Sequence, residues 1–258
     1  MPGGGAAQTA LDERELDKMF ALEEGYWWFV GRRGIIRSVL SGHLGQGQEG
    51  WVLDLACGTG GNLAILGEHG RVLALDLSPH ALGRCRERGC ARTVCGSATA
   101  LPLASGSVDL VASMDLLEHL DDDREGAREM FRVLRPGGVL VVTAPAYRWL
   151  WSDHDIALAH RRRYVLGEVV ALLTGAGFKV VQQTYCIFFL FLPIAGFRML
   201  QRLLRCFVRR SPPATAYIQV PRWLSAVFVW LLGAEARLLR RVSLPFGVSC
   251  LCVGRRPK

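Results

Sequence analysis

The sequence lacks three features that would assign it to other classes of protein. Its eight cysteines form no Cys-x-x-Cys pair, so no zinc knuckle is predicted. Its longest apolar runs are well short of the ~20 residues that span a bilayer, and no signal peptide is recognised at its N-terminus. We therefore expect a cytoplasmic protein with reduced thiols, and 258 residues are enough for one domain with an elaboration.

Acidic residues are scarce in the last part of the chain. Residues 186–258 contain twelve Lys and Arg but a single acid, Glu235, so this part carries +11 while residues 1–185 carry −3. The same part holds two apolar runs, 186–197 and 223–234, each bordered by arginines. Short arginine-bordered apolar helices are typical of a membrane interface, although a cap on the core or a dimer interface would use the same pattern. Nucleic acid is not an expected partner, because the aromatics are not interleaved with the arginines.

A glycine-rich stretch stands out in the first half of the chain. Residues 52–62 predict a buried strand and a tight turn, and a helical pattern follows. Such a turn lets the backbone approach a ligand beside the N-terminus of a helix. The dinucleotide fingerprint needs a third glycine where this chain has Leu63, which disfavours an NAD-dependent oxidoreductase. A second apolar run, 71–75, ends at Asp76, whose carboxylate can accept hydrogen bonds from a ribose.

Five motifs in this order resemble those of the class I S-adenosylmethionine (SAM)-dependent methyltransferases. They comprise residues 54–60, 75–78, 96–102, 108–120 and 134–138. The resemblance implies SAM as the cofactor and S-adenosylhomocysteine as its product. It also implies that Asp54, Gly58 and Gly60 contact the methionine part and that Asp76 contacts the ribose. Ser97 and Ala98 are expected beside the adenine, and Ser113, Met114 and Asp115 beside the sulfonium. The other expected cofactor-binding residues are Ala56, Asn62 and Leu77.

Alternating strand and helix signals predict an α/β fold with a doubly wound, seven-stranded, mostly parallel sheet. The predicted strands are 51–55, 71–75, 91–95, 108–112, 138–143 and 178–184, and predicted helices lie near 11–24, 35–44, 61–69, 79–88, 122–134 and 167–175. The resemblance implies a seventh strand antiparallel to the sixth, with 246–253 as its candidate. The predicted organisation is a disordered tail (1–10), an N-terminal helical lid (11–50), a SAM-binding domain (51–184), an α-helical insertion between strands six and seven (185–244), and a last strand with a tail (245–258).

Four consecutive aromatic residues at 26–29 precede two arginines. They either pack as a helix over the sheet or form a lid over SAM and the methyl acceptor, with an arginine near an anionic group. On the lid interpretation, the acceptor-binding residues are Tyr26, Trp27, Trp28, Arg32 and Arg33.

Titratable side chains are dense in residues 144–164, which follow the fifth predicted strand. Three interpretations stay open: His154 or His160 is a general base held by Asp153 or Asp155, these residues hold a metal ion, or they form a structural hydrogen-bond network. We expect no metal. The candidate catalytic residues are His154, His160, Asp153 and Tyr164. Further acceptor-binding candidates are His119, Tyr147, Trp151, Arg162 and Arg163, and the arginines suit a phosphate or carboxylate.

These observations predict an enzyme that moves a methyl group from SAM to a small-molecule or lipid-linked acceptor. An amphiphilic acceptor presented at a membrane surface, the inner face of the cell membrane, fits the basic apolar part of the chain. O-methylation is the first expectation and N-methylation of a lipid or small-molecule amine the second. A non-catalytic SAM-binding scaffold is the alternative from a different class, and a homodimer is the alternative use of the apolar helices.

Overall fold

The structure, a computed structural model, describes residues 11–44, 49–204, 215 and 217–258. Within these residues the chain forms one seven-stranded sheet with the order β3-β2-β1-β4-β5-β7-β6. The strands are β1 (Trp51–Leu55), β2 (Arg71–Asp76), β3 (Thr93–Cys95), β4 (Val108–Met114), β5 (Leu134–Pro145), β6 (Lys179–Cys186) and β7 (Ser249–Arg255). The strand pairs β3–β2, β2–β1, β1–β4 and β4–β5 are parallel, and β7 is antiparallel to both β5 and β6. The predicted fold class is confirmed.

Helices cover both faces of the sheet because side chains alternate along the buried strands. They are α1 (Glu13–Leu22), α2 (Trp27–His43), α3 (Leu63–Gly67), α4 (Pro79–Glu87), α5 (Asp123–Val133), α6 (Asp153–Ala157), α7 (Leu166–Gly175), α8 (Phe191–Leu204) and α9 (Arg222–Leu238). One core layer joins α2, α3 and α9 to the strand residues Val52, Leu110 and Val141. The opposite layer joins α5 and α7 to Leu53 and Val142.

Two helices, α8 and α9, lie between β6 and β7. Helix α9 packs along α2, where the side chain of Leu232 fills the space above Gly31. The carboxylate of Glu235 on α9 accepts hydrogen bonds from the backbone N–H groups of Ile187 (2.5 Å) and Phe188 (2.8 Å), which fixes α9 to the end of β6. In the described part of the chain, no helix is both long and apolar enough to cross a membrane.

The predicted boundaries differ from the observed ones by more than two residues in three places. The helix predicted at 35–44 begins at Trp27, so the aromatic run is its first turn. The fifth strand begins at Leu134 instead of 138, because Val108 already pairs with Leu134 before an irregular step in the register. The seventh strand begins at Ser249 instead of 246. The predicted tail at 1–10 lies outside the described residues, as do Arg205 and Arg209, two of the twelve basic residues counted in 186–258.

Candidate active site

A cavity of about 480 Å³ lies at the carboxyl ends of β1, β2, β4 and β5, where ligands bind in doubly wound sheets. Helices α1, α2 and α8 contribute its other walls. Among the predicted residues, those that line it are Ala56, Gly58, Asn62, Asp76, Leu77, Met114, Asp115, Tyr26, Trp27, Trp28, Arg32, Arg33, His119, His154, His160 and Arg163. The structure therefore brings both ends of the predicted site, the glycine turn and the histidine-rich loop, into one space.

The turn after β1 is held open by Asp76. Its carboxylate accepts hydrogen bonds from the backbone N–H groups of Gly58 (2.9 Å) and Ser78 (2.9 Å). Gly58 has a φ of +52°, which favours glycine, and a Cβ added there would meet no atom within 4 Å. The side of this turn that faces the cavity is thus free for a ligand to approach the backbone.

Asp54 lies behind this turn in β1 and does not line the cavity. Its side chain is buried, and its Oδ2 atom has no hydrogen-bond partner among the described residues. Burial raises the pKa of Asp54 to about 7, and the charges of Asp76 and Glu23 add to the effect. Gly60 also faces away from the cavity, toward Leu63 and Cys85.

A residue that the sequence analysis missed, Glu23, joins the N-terminal helices to the glycine turn. The Thr59 hydroxyl donates a hydrogen bond to Glu23 Oε2 (2.7 Å), and Arg88 Nη2 donates to the same oxygen (3.0 Å). A Cβ on Gly61 would come within 2.7 Å of the Glu23 carboxylate. The two neighbouring glycines therefore face different groups. Gly60 faces Leu63 and Cys85, whereas Gly61 leaves room for Glu23. No local signal in 11–24 distinguishes Glu23 from its neighbours.

The aromatic run and its arginines form one wall of the cavity. Trp27 packs edge-on against Phe228 of α9 at a centroid distance of 4.9 Å. Arg32 forms an ion pair with Asp115 (2.5 Å) and donates a hydrogen bond to Thr143 Oγ1 (2.9 Å). Asp115 has a φ of +53° at the end of β4, a strained conformation for a residue other than glycine. Arg33 donates to the backbone carbonyl of Glu23 (2.6 Å), so both arginines brace the wall.

The opposite end of the cavity is built around Asp155. Its buried carboxylate accepts hydrogen bonds from His160 Nδ1 (2.9 Å) and Arg163 Nε (2.7 Å). Burial alone would raise the pKa of Asp155, but the hydrogen bond from His160 and the charge of Arg163 hold it well below its usual range. Asp155, and not Asp153, is therefore the carboxylate that orients His160. Asp153 lies outside the cavity lining.

Two other histidines and a glutamate complete this end. Burial lowers the pKa of His119 to about 4, and the neighbouring His160 adds to the effect. Burial also lowers the pKa of His154 to about 4, with a contribution from Arg198. The rings of His119 and His160 meet edge-on, with centroids 4.9 Å apart. Glu118 lines the cavity although it has no exposed surface, and burial raises its pKa well above the usual value.

Several predicted residues lie elsewhere. The Tyr164 hydroxyl points into the core, where it donates to the Leu117 carbonyl (3.1 Å) and approaches Asp123 Oδ2 (2.8 Å). Arg162 is held by an ion pair with Asp123 (3.0 Å) and lines a separate groove of about 680 Å³ beside α5 and α7. Tyr147 stacks on Tyr185 at 5.1 Å. The remaining predicted residues outside the cavity lining are Trp151, Ser97, Ala98 and Ser113.

Three of these residues, Ser97, Ala98 and Ser113, are predicted cofactor contacts and have different surroundings. Ser113 is fully buried in β4, and the Ser97 hydroxyl lies 2.9 Å from Thr99 Oγ1. Ala98 belongs to the core layer beneath α5 and α7. Their contacts with the cofactor stay predictions.

Comparison with known proteins identifies the family. Residues 53–142 match the family model described as "Methyltransferase domain". Residues 53–142 therefore form a methyltransferase domain of the class I SAM-dependent type. It is 33% identical over 162 residues to a probable S-adenosylmethionine-dependent methyltransferase of Mycolicibacterium smegmatis, covering 61% of each chain. It is 34% identical over 142 residues to the malonyl-[acyl-carrier protein] O-methyltransferase of Enterobacter lignolyticus, covering 52% of this chain and 56% of that one.

Solved structures agree on the fold. The putative methyltransferase in a complex with the Haloferax volcanii Trm112 methyltransferase activator superimposes with a TM-score of 0.60. The two chains share 20% identity, and the match covers 97% of this chain and 100% of the other. In sequence, however, the chain spans only about three fifths of the length of the curated relatives it matches.

The residues at the glycine turn fit SAM. The open side of Gly58 accommodates a ligand against the backbone, and Asp76 presents a carboxylate at the end of β2, where a ribose binds in this type of sheet. Burial raises the pKa of Asp76, and the hydrogen bonds from the N–H groups of Ser78 and Gly58 oppose this shift.

Proposed function

We propose that this methyltransferase methylates a hydroxyl group of an amphiphilic or lipid-linked acceptor at a membrane surface. The observation that carries this proposal is the single cavity that joins the glycine turn to the Asp155–His160 pair and continues along α8. SAM supplies the methyl group when bound. The protein has to align the acceptor oxygen with that methyl group, exclude water and accept a proton.

The apolar wall of the cavity supports an acceptor with an apolar part. Leu190, Ile194 and Phe197 line it from the segment that contains α8, and Phe228 lines it from α9. These apolar side chains cannot form hydrogen bonds with a polar acceptor. Burial of an alkyl or prenyl chain against them would contribute favourably to the free energy of binding.

His160 is the residue best placed to accept the proton of the acceptor hydroxyl. Asp155 holds its Nδ1 atom, which leaves Nε2 to face a ligand. The Asp155 carboxylate also stabilises the imidazolium that forms. His154 lines the same cavity, but burial beside Arg198 makes it a weaker base, because its pKa lies at about 4.

Formation of S-adenosylhomocysteine tests the reaction. The purified chain is supplied with SAM and either a membrane lipid extract or an aqueous metabolite extract. We expect S-adenosylhomocysteine to form with the lipid extract, and a His160→Gln variant to lose roughly 10²–10⁴-fold in kcat while retaining affinity for S-adenosylhomocysteine. Turnover with the aqueous extract alone would contradict the lipid-linked acceptor, and no turnover with either would favour a SAM-binding scaffold.

The surface of α8 and α9 supports attachment to a membrane. Large apolar side chains are exposed on both helices, including Leu192 (71% exposed), Trp223 (69%) and Trp230 (66%). Arginines accompany them at 198, 202, 222 and 237. Apolar side chains bordered by arginines favour the interface of an anionic membrane, such as the inner face of the cell membrane.

Vesicle co-sedimentation tests this attachment. We expect the chain to bind anionic vesicles more strongly than neutral ones, and the binding to fall with salt. A Trp223→Ser/Trp230→Ser variant should lose it, whereas Val165→Ser/Val181→Ser, which changes exposed apolar residues elsewhere, should not. Equal loss in both variants would contradict a specific surface. A stable dimer that dissociates in the tryptophan variant would instead assign this surface to a second copy.

A further inference from the structure

Three side chains that commonly bind metal ions meet at the acceptor end of the cavity. One potential ligand atom from each of Glu118, His119 and His160 lies within 4.8 Å of the other two. Glu118 and His119 are neighbours in the single helical turn Leu117–His119 after β4, and His160 follows α6. All three line the cavity, so an ion held between them would face a bound ligand.

Glu118 is the acid in this group for which the described residues supply no hydrogen-bond partner. Its side chain has no exposed surface, and neither carboxylate oxygen has a hydrogen-bond partner among the described residues. The arginines whose charges act on it, Arg32 and Arg163, are each engaged in an ion pair with another carboxylate. Because an isolated buried carboxylate is costly, this site is suited to a cation that enters with the ligand or before it.

His160 has the arrangement expected of a metal-binding histidine. Metal-bound histidines usually donate their second ring N–H to a carboxylate or carbonyl, which fixes the tautomer and the direction of the free lone pair. The contact between His160 Nδ1 and Asp155 (2.9 Å) provides this, and Arg163 fixes Asp155 in turn (2.7 Å). Nε2 of His160 is then the ligand atom.

We propose that Glu118, His119 and His160 bind a first-row divalent cation, with a fourth position open to the acceptor oxygen. Two imidazoles and one carboxylate are the ligands of many catalytic zinc sites, whereas Mg²⁺ prefers oxygen ligands. This inference rests on the proposed function and refines it. A cation at this position would lower the pKa of a bound hydroxyl. Its proton would then pass to solvent without a free imidazole, and His160 would serve as a ligand instead of the base.

Titration with Co²⁺ followed by visible absorption tests the site without any methyl transfer. The full chain is prepared without a polyhistidine tag and freed of metal. We expect a single equivalent of Co²⁺ to bind with the strong visible bands of a four-coordinate site. Glu118→Gln and His160→Gln should each weaken binding by more than the 10–100-fold typical of changes around a metal site. His154→Gln is the matched control, because His154 lines the same cavity outside the three ligands and should retain binding.

The outcomes separate this inference from the proposed function. Affinity for S-adenosylhomocysteine, measured in every variant, shows that the fold is retained. Co²⁺ binding that is absent, that survives both ligand variants, or that shows thiolate charge-transfer bands would overturn the metal site. If the metal-free chain forms S-adenosylhomocysteine at an undiminished rate, the metal site is also overturned while the proposed function stands. If Co²⁺ binds as expected but no acceptor extract is methylated, the proposed function fails and the metal site stands.

Discussion

At the scale of single residues, Asp54 is a buried acid whose ionisation affects the stability of the fold. Its pKa rises from 3.8 in an exposed setting to about 7 in the folded chain, with burial as the main cause. The folded state therefore binds a proton between these values that the unfolded state has already lost. Stability must fall as the pH rises through this window, because the native state binds more protons than the unfolded state.

We expect an Asp54→Asn variant to remove this pH dependence. Between pH 4 and pH 8 the wild type should lose roughly 2–4 kcal/mol of its free energy of unfolding through this group, whereas the variant has no proton to lose there. Urea unfolding of both proteins at several pH values, without ligand, measures the difference. Equal slopes in the two proteins would show that Asp54 does not titrate in this range.

Tyr164 gives a second prediction at this scale. Because its hydroxyl bonds the Leu117 carbonyl and approaches Asp123 inside the core, Tyr164→Phe should lower the free energy of unfolding by about 1–3 kcal/mol. The affinity for S-adenosylhomocysteine should stay unchanged. Denaturant unfolding and isothermal titration measure the two quantities. A variant of full stability that has lost turnover would return Tyr164 to the catalytic residues.

Sequence patterns could not distinguish among these residues, for physical reasons. Asp153 and Asp155 are two positions apart, and only the start of α6 at Asp153 decides which one turns toward His160. Glu23 and Thr59 are far apart in the chain, so their contact exists only after folding. The positions of Asp76 and Asp115 at the edge of the sheet could be predicted, because Asp76 ends β2 and Asp115 follows β4 directly.

At the scale of elements, the packing of α2 on α9 depends on a single glycine. A Cβ at Gly31 would come within 2.2 Å of Leu232 Cδ1, whereas a Cβ at Gly34 in the same helix would meet no atom within 4 Å. The two positions form a matched pair, since both lie inside α2 and differ only in what they face.

We expect Gly31→Ala to destabilise the chain by about 1–3 kcal/mol, because the added methyl group overpacks the contact. Gly34→Ala should instead stabilise it by about 0.5–1 kcal/mol through higher helix propensity. Thermal unfolding measures both. A Gly31→Ala/Leu232→Ala double variant should recover part of the loss, and an absence of coupling would show that the two helices do not touch there.

The helices and strands themselves were largely predictable from the sequence. Local apolar runs and glycine turns mark β1, β2 and β4 to within a residue or two. β1 and β4 are buried almost throughout, and β2 is buried at Ala74 and Leu75. The start of α2 at Trp27 was not predicted because no side chain caps it. The N-cap residue Tyr26 makes no side-chain hydrogen bond to the first turn. The antiparallel pairing of β7 with β6 came from the family resemblance, and the position of β7 beside β5 was not predicted. Neither pairing has a local signal.

At the scale of the whole molecule, cofactor binding should tighten the N-terminal helices onto the sheet. Glu23 lies between α1 and α2 and accepts a hydrogen bond from Thr59 of the glycine turn. A ligand bound at this turn should therefore stabilise the positions of both helices. S-adenosylhomocysteine at about 100 times its Kd should raise the free energy of unfolding by about 2.7 kcal/mol.

Limited trypsin digestion measures where this stabilisation acts. We expect cleavage after Arg14 and Lys18 in α1 to slow when S-adenosylhomocysteine is present. Cleavage after Arg92, an exposed residue between α4 and β3, should change less and serves as the internal control. Equal protection at all three sites would indicate global stabilisation without closure of the N-terminal helices.

The position of β7 has a consequence for how the protein is made. Residues 187–248 separate β6 from the strand that must lie beside it. At about 5–20 residues per second, a ribosome needs roughly 3–12 s to synthesise this segment. During that interval β6 has been translated without its neighbour, and one edge of β5 stays open. The nascent chain is thus most exposed to aggregation, and most dependent on chaperones, just before its sheet can close.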